Sequence, residues 1–199
     1  MAIPNWENNK NYKKYDIIEE PDGSNIFYYA TFDHNSSLSG TSGSSGSSGS
    51  SGTAGTFYTD KVKWAGVIEI NGDKIPHFFW KPDYNTRYSV KTEVKKTKYG
   101  DGYEQRSKAN FDNILLNLDL TFSNRNYKEA VAILHFLNSR KGHSQFIYTP
   151  EYIYTTYNHS SPLRWICKEW THSHQFDENN VIKATFNQVP INGKFEIIR

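Results

Sequence analysis

The chain has 199 residues, 36% of them hydrophobic and 16% aromatic, with 23 basic against 21 acidic side chains and a formal net charge of +2. So small a charge excludes nucleic-acid or membrane binding by bulk electrostatics, and a single cysteine, Cys167, excludes an intrachain disulfide. No run approaches about 18 consecutive apolar residues, and MAIPNWENNKNYKKY at the start holds no apolar stretch of the signal-peptide kind. Neither a membrane span nor signal-directed secretion is expected, and the chain reads as made in the cytoplasm.

Aliphatic residues are few, but 14 Tyr, 12 Phe and 5 Trp can bury large areas each and sustain a core in their place. Tyr and Trp are also favoured at interfaces, so their surplus points toward assembly. The first such cluster runs over residues 3 to 34. Trp6 and Tyr12 precede Tyr15-Asp16-Ile17-Ile18, then Pro21-Asp22-Gly23 and Ile26-Phe27-Tyr28-Tyr29-Ala30. This spacing predicts two short strands joined at Pro-Asp-Gly. Residues 36 to 56 are almost pure Gly, Ser and Thr, a composition that cannot bury enough apolar surface to offset its ordering entropy, and they are read as a flexible loop.

Order is expected again from Lys61. Val67-Ile68-Glu69-Ile70, Asn71-Gly72-Asp73 and a second apolar run from Ile75 to Trp80 predict a hairpin on its strongest short signal. The run KTEVKKTKYGDGYEQR follows, from Lys91 to Arg106. Gly100 and Gly102 flank Asp101 and predict a tight turn between two strands. GDG lacks the spacing and following helix of a phosphate loop. Leu116, Leu118, Leu120 and Phe122 alternate with Asn117, Asp119 and Thr121, the period-two pattern of a half-buried strand.

One helix is expected, 126–141, with Ser123 or Asn124 as its cap and Ala130, Ile133, Leu134 and Leu137, with Val131 and Phe136, on the packed face. Arg140 and Lys141 suit its C-terminal end, and Gly142 can take a left-handed cap. Three further strand candidates run over 145–148, 164–170 and 181–189. Chemistry-bearing residues are sparse. His77 and His135 read as structural, and Cys167, between apolar neighbours, reads as a buried small hydrophobe. His172 and His174 share a strand face but have no further ligand at metal spacing. No paired carboxylates, triad or metal set stands out, so neither an enzyme nor a cofactor is expected.

Two resemblances add to this reading. The N-terminal arrangement, closing with Trp64-Ala65-Gly66-Val67, resembles the small three-stranded carbohydrate-binding module of chitinases and phage tail proteins. That resemblance implies that Trp6, Tyr28, Tyr29 and Trp64 stack on sugar rings of a host surface glycan. The preferred reading of the same aromatics is as the core of a module too small to have another. The second resemblance rests on Phe79-Trp80-Lys81-Pro82-Asp83-Tyr84, Tyr99-Gly100-Asp101-Gly102-Tyr103-Glu104-Gln105-Arg106, the helix end Phe136-Leu137 through Gly142, and Trp165-Ile166-Cys167. In that order they resemble the minor tail protein M-like and distal tail protein family of phages.

That family implies a mainly β fold, a distal-tail-like β-barrel with one α-helix at 69–199, beside the small aromatic-rich three-stranded module at 1–68. It implies a structural virion protein forming a homo-oligomeric, hexameric ring that joins the tail tube to the tip or baseplate hub. The residues expected at the subunit interface are Tyr99, Asp101, Tyr103 and Arg106, with Arg106 offering a bidentate fork to a carboxylate. The alternative for these four is an ordinary surface turn with a local Asp101–Arg106 pair.

Overall fold

The computed structural model describes residues 3–21, 25–36, 57, 61–70, 72–84, 86–92, 94–108, 114–150, 163–176 and 178–189. The expected Gly/Ser loop lies, from residue 37 on, outside the described residues, as do the tips of the Pro-Asp-Gly and Asn-Gly turns at 22–24 and 71.

The N-terminal aromatics build short strands: β1 (Asn11–Tyr12), β2 (Ile17–Glu19), β3 (Phe27–Ala30), β4 (His34–Asn35) and β5 (Trp64–Ala65). β2, β3 and β5 form a three-stranded antiparallel sheet with β3 in the middle, while β1 pairs with β4. β3 is buried along most of its length because it lies between two cores. Tyr28 points into a small one with Tyr12, Ile18, Ala30, Phe57 and Trp64, whereas Tyr29 belongs to the large core of the C-terminal sheet. Strand alternation divides neighbouring side chains between the two.

Gly66 follows β5 with φ +111°, and a Cβ there would lie 2.6 Å from the Tyr29 ring and 3.1 Å from the Phe27 carbonyl oxygen. Only glycine allows this approach. β6 (Val67–Ile70) and β7 (Asp73–Pro76) form the expected hairpin. The expected boundary at 68/69 falls inside β6. The second strand was expected to reach Trp80 but ends at Pro76. Beyond it Phe78 N–H donates to the Ile147 carbonyl at 2.8 Å, so the aromatic run leaves its hairpin partner and crosses to another sheet.

That sheet comprises β8 (Arg87–Thr92), β11 (Ile114–Arg125), β12 (Phe146–Ile147), β13 (Arg164–His174) and β14 (Asn180–Gln188), antiparallel in the order β12-β13-β14-β11-β8. Between β8 and β11 the chain makes a separate two-stranded ribbon, β9 (Val94–Lys98) and β10 (Glu104–Lys108). The fold is mainly β with one helix, as expected. The barrel is not closed, however: among the described residues β8 and β12 end the strand order of an open sheet, and β12 meets the 77–78 run through a His77–Ile147 bridge. One face of the sheet, with Leu116, Leu118, Leu120, Phe122, Trp165, Cys167, Ile182, Ala184 and Phe186, is buried under the helix and the 77–84 run, which take the place of a second barrel wall. The other face is polar, with Thr185 donating to Asp119 at 3.0 Å. An antiparallel sheet can keep one face in water in this way.

Helix α1 (Tyr127–Arg140) buries Ala130, Ala132, Ile133, Phe136 and Leu137 against that core, whereas Val131, expected on the same face, points to solvent. Its cap is Asn126, whose side chain accepts the Glu129 N–H at 2.8 Å, and not Ser123 or Asn124, which still belong to β11. At the other end Lys141 itself takes the left-handed conformation, φ 49°, one residue before Gly142. The centre of the core is Phe78, whose ring lies 5.0 to 6.2 Å from those of Trp80, Phe122, Phe136, Phe146, Tyr148 and Phe186. Such pairs contribute about 0.5–1.5 kcal/mol each beyond the area they bury.

Candidate functional site

The Lys-rich run and the GDG turn form the β9–β10 ribbon, and every residue of β9 is exposed. Its register pairs Lys98 with Glu104 and Lys96 with Arg106. Two cations directly opposite destabilise a ribbon. Glu104 relieves this pair: its Oε1 lies 3.0 Å from Arg106 Nε and 3.6 Å from Lys96 Nζ. The alternative Asp101–Arg106 pair therefore does not form, since Arg106 reaches the nearer carboxylate on its own strand.

At the tip Tyr99 N–H donates to the Tyr103 carbonyl at 2.9 Å, and Gly102, at φ +78°, closes the turn by donating to the Tyr99 carbonyl. Tyr99 hydroxyl donates to Gln105 Oε1 at 2.9 Å. The Tyr99 and Tyr103 rings lie 5.8 Å apart and remain 50% and 67% exposed, on either side of an exposed Asp101. Three of the four expected interface residues thus share one tip, with Arg106 lower on the ribbon.

The expected sugar-stacking set is placed differently. Tyr28, Tyr29 and Trp64 are buried, and only Trp6 is partly exposed, packed edge-on against Phe57. Trp64 packs edge-on against Tyr12 at 4.9 Å. Stacking on a sugar needs an open ring face, and these three rings spend theirs on the two cores.

The remaining candidate groups are occupied structurally. Tyr29 Oη lies 3.1 Å from His135 Nδ1. Burial holds His135 below its ordinary pKa, helped by the Arg140 charge, and pushes the Tyr29 hydroxyl up. His172 Nε2 and His174 Nδ1 both lie within 3.2 Å of the Asn180 side-chain oxygen. These contacts hold both rings against Asn180 through one nitrogen each. Among the described residues no three His, Cys, Asp or Glu side chains group as a metal site. Cys167 is buried, and burial pushes its thiol up to about 12, far from the thiolate a nucleophile needs.

A groove of about 550 Å³ that no motif announced opens where the 77–86 run crosses β8 and β11. Phe79, Trp80, Tyr84, Tyr88 and Tyr148 wall it over Leu118 and Leu120. Asp83 holds one wall in place: its N–H donates to the Thr121 carbonyl at 2.8 Å and its Oδ2 accepts Ser123 N–H at 2.8 Å. Arg125 locks the same wall by donating to the Lys81 carbonyl at 2.8 Å while its other nitrogen meets Glu129 at 3.1 Å. Pro82, immediately after Trp80-Lys81, was the available signal, because proline removes a ladder donor and argues against a continuing central strand.

A protein-family model described as phage minor tail protein matches residues 76–190, from the end of β7 through β14, and so includes both ribbon and groove. No curated protein matches the chain. No described helix is long and apolar enough to cross a membrane.

Proposed function

The chain belongs to the phage minor tail protein family, and from that premise we propose that it forms a homo-oligomeric, hexameric ring at the distal end of the tail, joining the tail tube to the tip or baseplate hub. As a family member it is a structural component of the virion tail. The observation that carries the ring reading is the β9–β10 ribbon. Two strands paired only with each other are marginally stable in water, and here they end in two exposed tyrosines. A neighbouring chain covering the ribbon would supply the burial it lacks on its own. Among the described residues β8 comes last in the strand order beside it, and an outer strand is where a neighbouring chain can pair, so a position that would be an aggregation hazard becomes an assembly device.

In this reading Tyr99, Asp101, Tyr103 and Arg106 meet the next subunit, and the tube and tip proteins stack above and below. Arg106 enters with its charge shared locally with Glu104, so the aromatic tip carries more of the contact than the guanidinium does. The glycan-binding reading would need a surface other than Tyr28, Tyr29 and Trp64, whose rings are enclosed. The test is mass photometry of the purified chain beside a variant whose residues 94–108 are replaced by a short turn. The parent should form one discrete oligomer and the shortened chain should remain monomeric with unchanged thermal unfolding. Equal assembly by both would overturn the role given to the ribbon.

A further inference from the structure

We propose that the aromatic groove is the socket for the hairpin tip of a second copy of this chain, packed head to tail; the inference rests on the ring reading and names its contact. The tip brings two tyrosine rings and a carboxylate, Tyr99, Tyr103 and Asp101, all exposed. The groove brings a complementary surface: aromatic walls, an aliphatic floor and, at its rim, the exposed Lys81. Neither Lys81 Nζ nor Asp101 has an ionic partner among the described residues, so each charge is available to the other. Trp80 lines the groove with its ring, while its indole N–H is buried away from solvent. At about 550 Å³ the space falls within the roughly 300–1,000 Å³ of clefts that enclose a ligand, enough for a pair of aromatic side chains.

The occupant must be another copy. Tyr88 lines the groove, and β8 and β9 run outward from it to Tyr99. Eleven residues of extended chain reach up to roughly 35 Å at about 3.3 Å per residue, a length that carries the tip outward from its own groove toward a neighbour. A knob and a socket on different parts of one molecule make a heterologous contact, which propagates around an axis and closes into a ring when the rotation fits.

The experiment has two arms on the full chain. Asp101→Lys and Lys81→Asp are made singly and together, and separately Asp101→Cys is combined with Lys81→Cys and oxidised; Cys167 is buried and stays out of the reaction. All of the changed residues are exposed, so thermal unfolding should match the parent. Each single reversal should weaken assembly roughly tenfold or more, because it puts like charges together. The double reversal should restore assembly, and the cysteine pair should give a ladder of covalent oligomers absent from either single-cysteine chain. If the parent forms rings but the reversals assemble like it and no ladder appears, the tip docks elsewhere and this inference falls while the ring reading stands. If the parent itself never assembles, both fall.

Discussion

His135 stands where the N-terminal sheet meets the helix, 3.1 Å from the Tyr29 hydroxyl and 4.7 Å, edge-on, from the Phe27 ring. Burial and Arg140 favour its neutral form, so its folded pKa lies below the ordinary value of about 6.5. His77, also lowered by burial, works in the same direction. The unfolded chain then binds more protons than the folded one below about pH 6.5. The contribution is fully present above that value and is lost as pH falls through the lower, folded pKa. Thermal unfolding followed from about pH 8 to about pH 5 should show a falling Tm, with a shallower fall in His135→Gln. Identical slopes would show that His135 does not carry the effect. The buried rings give a second residue-scale expectation. Trp64→Ala should cost about 3–5 kcal/mol in urea unfolding, whereas Tyr99→Ala, on the exposed tip, should change stability by less than about 0.5 kcal/mol. The sequence could not tell the two kinds of ring apart at Trp6, Tyr28, Tyr29 and Trp64, because a sugar platform and a small core call for the same residues. What separates them is that β3 has a core on either side, a long-range fact that Phe27-Tyr28-Tyr29-Ala30 does not announce.

Elements were most legible where the pattern is local. Leu116 through Phe122 alternate as a strand should, and the helical spacing of Ala130, Ile133 and Leu137 put α1 within one residue of its observed ends. The cap was harder to assign because Ser123, Asn124 and Asn126 are all good capping types. Only the reach of β11 to Arg125 leaves Asn126 in place. Asn126→Ala should therefore cost about 1 kcal/mol, with Ser123→Ala and Asn124→Ala nearer neutral for the helix, as measured by denaturant midpoints at constant m. The 77–84 run was the least legible element. Its apolar residues suit a strand, and its true role as a bound wall depends on partners far along the chain: Ile147, Thr121 and Ser123.

At the scale of the whole molecule, the proposed ring rests on what the open sheet leaves exposed. Its buried face packs under α1 and the 77–84 run, which leave the aromatic groove open over Leu118 and Leu120, and every residue of β9 in the ribbon beyond β8 is exposed. The N-terminal sheet is tied to the rest by Tyr29 in the large core, by a Lys128–Asp16 ion pair at 2.7 Å and by Lys74 on the buried Glu20. Module and sheet are thus joined by side chains that cross the expected boundary. The most direct measurement is negative-stain electron microscopy of the purified full-length chain beside the purified virion. The account predicts closed rings of uniform subunit number, and a matching ring density at the distal end of the tail. A chain that stays monomeric at high concentration, with no such density in the particle, would contradict it.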